Sequence, residues 1–427
     1  MRTTAAVAAL TLTGSLVLGL APAASATTAC ATEPLGVAGR YAEFVEGDST
    51  RVSDSEGAVA VGGDARFGDP ATKVGFSVGS KLTADDLKAL PGGHSLVVAG
   101  TLHASQVVLS HGTGVYGKLV DASAEGQFAL DGKAAQGSAP FDFGREFARL
   151  RALSGKWGAL KPGGTATPSG ATLTLEGGDP RLNVFTVEAS VLEKAAEIRV
   201  KVPAASSTVV NVTGSSYDMG TAPTHSVLLW DAERGAYVQD DYAAGSPAFK
   251  QLRSRLLWNF PQATRVQKNY TSWPGTLFAP GAEVRLGART PGGETGPGHV
   301  NGAVVAKTLT SVSGAETHQM PFRGCLPTGT QDTPAPGPTP SRPSATPASP
   351  SPRPPAEGHP TPSGSATPSP GAPVPPREGS GAPKPPTGDL ARTGSEVGPG
   401  LIGGAVAAIV AGGALVAVTL RRRRTRS

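Results

Sequence analysis

Short apolar runs recur between glycines through the first three quarters of the chain. Each run is only a few residues long and rich in Val, Leu and Thr, with Gly at the corners. This pattern predicts short strands that turn after a few residues, as in a β-solenoid. Because the spacing is irregular, no repeat motif can be written, and a β-sandwich with Gly-rich turns is the alternative. The predicted strands are 58–61, 75–78, 95–98, 107–109, 115–116, 172–175, 198–202, 209–212, 276–278, 283–286 and 303–305.

Three stretches have a helical pattern instead. In residues 141–160 apolar side chains recur every three or four positions, which predicts one long amphipathic helix. Its apolar face consists of Phe143, Phe147, Leu150, Leu153, Trp157 and Leu160. A second helix is predicted over residues 247–258, with Ser246 as N-cap and Pro247 first. A third, short helix begins near Thr83 and is stopped by Pro91. We expect the long helix to pack alongside the solenoid and cover one of its faces.

The two ends of the chain carry apolar runs of a different kind. Residues 1–26 have a charged start, an apolar core and an Ala-Ser-Ala cleavage site, which predicts a signal peptide cut between Ala26 and Thr27. Residues 401–420 are apolar and would span about 30 Å as a helix, the thickness of a bilayer core. The arginine-rich residues 421–426 would stay on the cytoplasmic side. The sequence therefore predicts a C-terminal transmembrane helix.

A pentapeptide precedes that helix and consists of Leu390, Ala391, Arg392, Thr393 and Gly394. The order of motif, apolar helix and basic tail resembles the cell-wall sorting signal of Gram-positive surface proteins. The Leu-Ala-x-Thr-Gly form resembles the variant used by class E sortases. The resemblance implies a transient complex with a class E sortase, cleavage after Thr393 and covalent attachment of Thr393 to peptidoglycan. A permanent transmembrane anchor is the alternative.

Composition changes abruptly between the apolar-run region and the pentapeptide. Residues 329–389 are dominated by Pro, Ser, Thr, Gly and Ala and contain no aromatic residue. Such a segment does not bury a core, so a disordered stalk with polyproline II character is predicted. The predicted organisation is a signal peptide (1–26), a β-rich domain (27–328), the stalk (329–389), the sortase motif (390–394) and the sorting-signal helix with its Arg tail (395–427).

Cys30 and Cys325 are the two cysteines, one at each end of the β-rich stretch. Outside the cell their simplest fate is one disulfide that closes this unit. Cys30 has a rival fate as a lipidated cysteine. Lipidation needs an apolar residue where Thr27 stands, and it would leave Cys325 as an unpaired thiol. Both points favour the disulfide.

The positive net charge belongs to the targeting segments. The chain has 38 basic and 33 acidic residues. Six arginines and one acid lie in the segments expected to be removed, which leaves 32 of each. The basic balance is therefore no argument for a nucleic-acid partner, and none is predicted.

A search for catalytic patterns finds no G-x-S-x-G, P-loop, H-E-x-x-H or EF-hand loop. His94, His103 and His111 are spaced nine and eight apart and could stack on neighbouring coils as metal ligands; polar surface is the preferred interpretation. The pairs Asp85–Asp86 and Asp240–Asp241 are interpreted as solvated loops, since adjacent residues on a strand face opposite sides. We therefore predict no catalytic residue, no metal ligand and no cofactor.

Segments at both ends of the β-rich stretch resemble the choice-of-anchor A domain. They are residues 35–39, 44–45, 56–65, 258–261, 274–280, 299–307, 316–318 and 321–322. Two of them are also similar to the β-helix of ice-binding-like surface domains. Members of the family are bacterial surface proteins that differ in how they are anchored, and their domain is regarded as adhesive.

The resemblance implies a secreted protein, anchored by sortase to a Gram-positive cell wall, that displays an adhesive domain on its stalk. Its ligand would be an extracellular glycan or protein that the sequence does not identify. The alternative function is a wall-anchored, polysaccharide-active enzyme on a β-helix scaffold, which would need a cleft with two carboxylates about 5–9 Å apart.

Overall fold

The computed structural model describes residues 30–220, 224–287, 298–311 and 314–328. The predicted signal peptide, stalk, sortase motif and C-terminal apolar run lie outside the described residues. Within the described part of the chain, none of the helices has the length and hydropathy that crossing a membrane requires.

The described chain is mainly β, as predicted. The strands before the long helix are β1 (Glu43–Val45), β2 (Ser49–Arg51), β3 (Ser53–Ser55), β4 (Val59–Val61), β5 (Ala65–Phe67), β6 (Phe76–Val78), β7 (His94–Ala104), β8 (Val107–Leu109), β9 (Thr113–Asp121) and β10 (Ala134–Gln136). The strands after it are β11 (Thr165–Ser169), β12 (Thr172–Glu176), β13 (Leu182–Glu188), β14 (Glu197–Lys201), β15 (Ser207–Thr213), β16 (Ser216–Asp218), β17 (Ser226–Asp231), β18 (Ala236–Gln239), β19 (Leu256–Asn259), β20 (Arg265–Gln267), β21 (Trp273–Pro274), β22 (Thr276–Leu286), β23 (Val300–Asn301) and β24 (Val304–Ser311).

The α-helices are few. They are α1 (Ala84–Ala89), α2 (Phe143–Gly158), α3 (Ala189–Leu192) and α4 (Pro247–Ser254), with 3-10 turns at Gly36–Arg40 and Pro91–Gly93.

Strands from successive turns of the chain pair in parallel. In the largest sheet, β1 pairs with β4 on one side and with β24 on the other. The pairings from β1 through β4, β7, β5, β2 and β24 return to β1, because the long strand β7 pairs with both β4 and β5, and the long strand β24 pairs with both β1 and β2. This parallel sheet does not fit the β-sandwich alternative, whose sheets are antiparallel.

The order of the strands in the sheet differs from their order in the sequence. The first strands extend the sheet in one direction from β1, through β4, β7 and β9 to β10. After α2 the chain re-enters the stack at β13 and returns through β15, β19 and β22 to β24. The first and last turns of the domain are therefore neighbours. We call this contact, of β1–β3 with β24 and residues 314–318, the seam.

An in-register row of outward-facing side chains lies under α2. From one end it consists of Val115, Val97, Ala60, Phe44, Val305, Phe278, Asn259 and Asn211. The ring of Phe44 stacks at 5.4 Å on that of Phe147, and Trp157 lies 5.2 Å from Phe278. The expectation that the long helix packs alongside the strands and covers a face is confirmed.

Polar contacts fix the C-terminal end of α2 on the same row. Asn259 Nδ2 donates to the Ser154 carbonyl at 2.9 Å, and Asn211 Nδ2 donates to the Trp157 carbonyl at 2.8 Å. The helix has 16 residues and so is about 24 Å long. Five strand spacings of about 4.8 Å, from β4 to β15, span the same distance. Helix length and stack height are therefore matched.

Two helix boundaries differ from the prediction. Helix α2 begins at Phe143 because the Asp142 side chain accepts from the Arg145 N–H and caps it. Helix α4 begins at Pro247 as predicted, with Ser246 as N-cap, but it ends at Ser254. Residues 256–258 are not helical; they belong to β19, which is buried and pairs in parallel with β15 and β22. Pairing on both sides outweighs the helical pattern.

The predicted disulfide between Cys30 and Cys325 is confirmed, with a Cα–Cα distance of 5.3 Å. An antiparallel bridge between Ala31 and Leu326 continues the contact. Trp157 Nε1 donates to the Pro327 carbonyl at 2.8 Å. Both ends of the domain therefore meet at one place, next to α2.

Replacing both cysteines by serine should lower the free energy of unfolding by up to about 5–6 kcal/mol, because the bridge closes a loop with a sequence separation of 295. Equilibrium urea unfolding of the full chain measures this. The parent in reducing buffer is the matched control and should lose the same amount; unchanged midpoints in both would contradict a stabilising bridge.

Candidate functional site

Three segments with polar residues at alternate positions lie side by side at the seam. Ser55 and Val300 each form a parallel bridge with Thr317, so the three segments share one register. Residues on either side of each of these three positions face the same side of the sheet. Six polar side chains consequently form a two-by-three patch, which we call the seam array: Asp54, Glu56, His299, Asn301, Glu316 and His318.

A buried ion pair lies on the inner side of the seam. Glu43 and Arg51 are fully buried, and Arg51 Nη2 donates to Glu43 Oε1 at 2.8 Å. Arg51 Nη1 also donates to the Ala315 carbonyl at 2.6 Å, and Thr317 Oγ1 donates to Glu43 Oε1 at 2.7 Å. These bonds join the first turn of the domain to its last.

Glu316 lies between two histidines in the seam array. Its Oε2 is 3.5 Å from His299 Nδ1 and 3.6 Å from His318 Nε2. Burial lowers the pKa of His299, although the Glu316 charge opposes this. Burial opposes ionisation of Glu316, but the nearby His318 ring and the His299 charge outweigh it and hold its pKa below the usual range. Two imidazole nitrogens and a carboxylate oxygen are a donor set for a transition metal.

A chain of hydrogen bonds fixes the orientation of His318. Its Nδ1 is 2.5 Å from Asn301 Oδ1. Asn301 Nδ2 in turn donates to Asp240 Oδ2 at 2.7 Å, and Asp240 Oδ1 accepts from Arg253 Nη1 at 3.1 Å. Since Asp240, Arg253 and Asn301 are all buried, this support is shielded from water.

The loop that follows Asp240 lies against one edge of the array. The Tyr242 ring meets the His318 ring edge-on at 4.5 Å, and Tyr242 remains 41% exposed. Burial and a hydrogen bond to Glu56 raise the pKa of Tyr242 to about 12. At the other edge, burial and then the charges of Glu316 and Glu56 raise the pKa of Asp54 to about 7. The array thus combines three carboxyl groups with two imidazoles in a partly buried setting.

The histidines singled out from the sequence do not come together. His94 Nδ1 is 2.9 Å from Thr113 Oγ1, and His111 Nδ1 is 2.9 Å from the Gly79 carbonyl. His103 lies on β7, paired with positions on β5 and β9. The hypothesis of a histidine stack is wrong, because strand pairing gives the three residues different neighbours.

The two aspartate pairs have different outcomes. Asp86 forms a capping box with Thr83 at the start of α1, so the predicted short helix is confirmed. Asp241 is exposed as predicted. Asp240 is not a solvated loop residue; it is buried because Arg253, Ser272 and Asn301 all donate to its carboxylate.

The seam array is not predicted by the sequence patterns, and none of its residues was expected to bind a metal. In the structure, His299, Glu316 and His318 place their ligand atoms within 4.8 Å of one another. A local signal existed: Asp-x-Glu, His-x-Asn and Glu-x-His each place two polar groups on one face. The bridge between Val300 and Thr317 brings both histidines to Glu316, and the bridge between Ser55 and Thr317, which are 262 residues apart, adds Asp54 and Glu56.

The described chain is a mainly β domain with parallel strand pairing and a polar patch at its seam. Over residues 34–319 the chain matches a family model described as "Putative Ice-binding-like adhesive domain". The match covers more than half of the chain, and the chain belongs to this family.

Two solved structures are similar to the chain. One is an ice-binding protein from an Antarctic ascomycete, Antarctomyces psychrotrophicus, with 11% identity and a TM-score of 0.28, covering 68% of this chain and 98% of that one. The other is an ice binding protein from an Antarctic Biological Consortium, with 14% identity and a TM-score of 0.25, covering 68% and 93%. At these TM-scores neither likeness carries an argument. No curated protein matches the chain.

Replacing Arg51 by Met should lower the free energy of unfolding by about 3–5 kcal/mol, because it leaves the Glu43 carboxylate buried without its partner. The double variant Glu43→Leu/Arg51→Met removes both charges and should regain part of that loss. Equilibrium urea unfolding measures both variants.

The matched control is Lys88→Met, which breaks the exposed ion pair with Asp85 and should change little. If Arg51→Met were as stable as this control, the inner ion pair would not hold the seam.

Proposed function

We propose that this protein is exported, attached covalently to the cell wall of a Gram-positive bacterium, and adheres through its β domain. Membership of the adhesive, ice-binding-like family over residues 34–319 is the observation that carries the adhesive part. In finer terms, the domain is an irregular β-solenoid of the choice-of-anchor A type. Its partner is an extracellular glycan or protein.

The anchoring part of the proposal is supported by the order of the C-terminal segments. Residues 1–26 would be removed on export, and residues 329–389 would serve as the stalk. A class E sortase would bind residues 390–394, cleave after Thr393 and transfer the Thr393 carbonyl to peptidoglycan. The apolar run 401–420 would span the membrane only before this step. The disulfide is consistent with an oxidising exterior.

The position of the domain ends supports display from one attachment point. Cys30 and Cys325 are adjacent, so the chain leaves the domain where it enters it. Adhesion would then use the outer faces, far from this point. We propose no catalytic role, since the family that the chain matches is described as adhesive.

Attachment depends on Thr393, and a Thr393→Ala variant should no longer be released from purified walls by muramidase digestion, because the motif that the sortase recognises loses its threonine side chain at the cleavage position. The matched control is Arg392→Ala, at the variable position of the motif, which should still be attached. If the Thr393→Ala variant stays wall-bound like its parent, the sorting proposal is wrong and the apolar run 401–420 is a permanent membrane anchor.

Adhesion without turnover is expected when the purified full chain is applied to an array of wall polysaccharides, plant polysaccharides and matrix proteins. The chain should be retained on at least one surface without releasing sugar, because the proposed binding uses a face and no catalytic pair. A peptide of residues 329–393 is the control and should not be retained. Release of reducing sugar would support the enzyme alternative instead.

A further inference from the structure

The spacing of the three donor groups in the seam array is too long for hydrogen bonds. The Glu316 Oε2 distances of 3.5 Å to His299 Nδ1 and 3.6 Å to His318 Nε2 exceed the roughly 2.7–3.2 Å of N–H···O bonds. Ligands bound to zinc at about 2.0–2.2 Å in a tetrahedron are about 3.3–3.6 Å apart. Two sides of the donor triangle therefore have the length of a coordination edge.

The three donor atoms, one each from His299, Glu316 and His318, lie close together. All three ligand atoms lie within 4.8 Å of one another, so a modest movement of one imidazole completes the triangle. His299 Nδ1 is buried and has no hydrogen-bond partner among the described residues. A buried ring nitrogen without a hydrogen-bond partner destabilises the fold unless a ligand, such as a metal ion, binds to it.

The orientation of His318 suits a ligand. Asn301 Oδ1 accepts from His318 Nδ1–H, which leaves the Nε2 lone pair directed at the cluster. Asn301 cannot flip without losing its bonds to Asp240 and Ser272. Metal-bound histidines are usually held by such a partner on the other ring nitrogen.

A fourth donor stands next to the triangle. Asp54 neighbours Glu316 in the register of the seam, and its Oδ1 is buried without a hydrogen-bond partner in the described part of the chain. Glu316 keeps its other oxygen, Oε1, for the Ser53 hydroxyl at 3.0 Å, which leaves Oε2 for a ligand. The available donors are two nitrogens and two carboxylate oxygens.

We propose that His299, Glu316 and His318, with Asp54 as the candidate fourth donor, bind one divalent transition-metal ion of the zinc class. The borderline-soft imidazoles select such an ion over calcium or magnesium, which take all-oxygen ligands. Glu316 and His318 belong to the last turn, His299 to the turn beneath it and Asp54 to the first turn. The ion therefore fastens the seam from outside. This site is independent of the proposed anchoring and adhesion.

The test uses the full chain without an affinity tag, stripped with EDTA and titrated with ZnCl₂ by calorimetry and elemental analysis. We expect one zinc per chain, a higher melting temperature in zinc, and no comparable effect of CaCl₂. Binding of Co²⁺ should give the visible absorption of a tetrahedral nitrogen and oxygen site.

His299→Gln, His318→Gln and the near-isosteric Glu316→Gln should each abolish stoichiometric binding and the zinc-dependent shift in melting temperature. Asn301→Leu, which only orients His318, should weaken zinc affinity about 10–100-fold. His103→Gln, a partly exposed histidine on β7, is the matched control and should bind as the parent does.

Melting of each stripped variant shows whether it is folded, and a variant that does not fold is replaced in the comparison by Glu316→Gln. Less than half an equivalent of zinc on the parent, or equal binding by the parent and the Glu316→Gln variant, would overturn the proposal. In either case the three residues are an ion-pair cluster only.

Discussion

The parallel pairing of β1 with β24 is the constraint on which the rest of the structure depends. It joins Glu43 to Val304 and Val45 to Ala306, residues from opposite ends of the domain. Until this pair forms, the first turn has an open edge, and the last turn lacks its neighbour. The inner ion pair, the seam array and the meeting of the chain ends all require it. Contacts this distant in sequence form slowly, because the loop-closure entropy must be overcome first.

Polar groups at the seam explain why the two edges meet in one register. Neighbouring turns have Val and Ala at equivalent positions, such as Ala60 beside Val97. Because these side chains are similar, they distinguish the correct strand register from a shifted one only weakly. A slip by one residue would leave Arg51 without Glu43 and the Ala315 carbonyl. The energetic penalty of an unpaired buried charge is large, whereas the net gain from the correct pair is small. The ion pair therefore contributes specificity more than stability.

Local pattern was enough to predict much of this fold. The strand at residues 107–109 and the apolar face of α2 could be predicted from the spacing of apolar residues along the chain. The disulfide could be predicted from the number and position of the two cysteines. β19 was missed because its residues have an apolar pattern that also suits a helix, and only pairing with β15 and β22 decides between them. Asp240 was wrongly expected to be solvated for a similar reason. The side chains that donate hydrogen bonds to its carboxylate, Arg253 and Asn301, lie on other elements, and only the fold brings them to Asp240.

The seam array lay beyond sequence reasoning because its histidines meet Glu316 only through strand pairing, and Asp54 and Glu56 join them only after closure. Each contributing segment has two polar residues around one buried position, which by itself describes an ordinary solvent-facing strand. Stacking turns the three into a dense patch in which Glu316 lies between two imidazoles and Asp54 has a raised pKa. The disulfide also favours this closure. It holds residues 30 and 325 together and so reduces the conformational entropy that is lost when β1 pairs with β24. A domain built in this way places its closing strand pair and its polar seam array where its first turn meets its last.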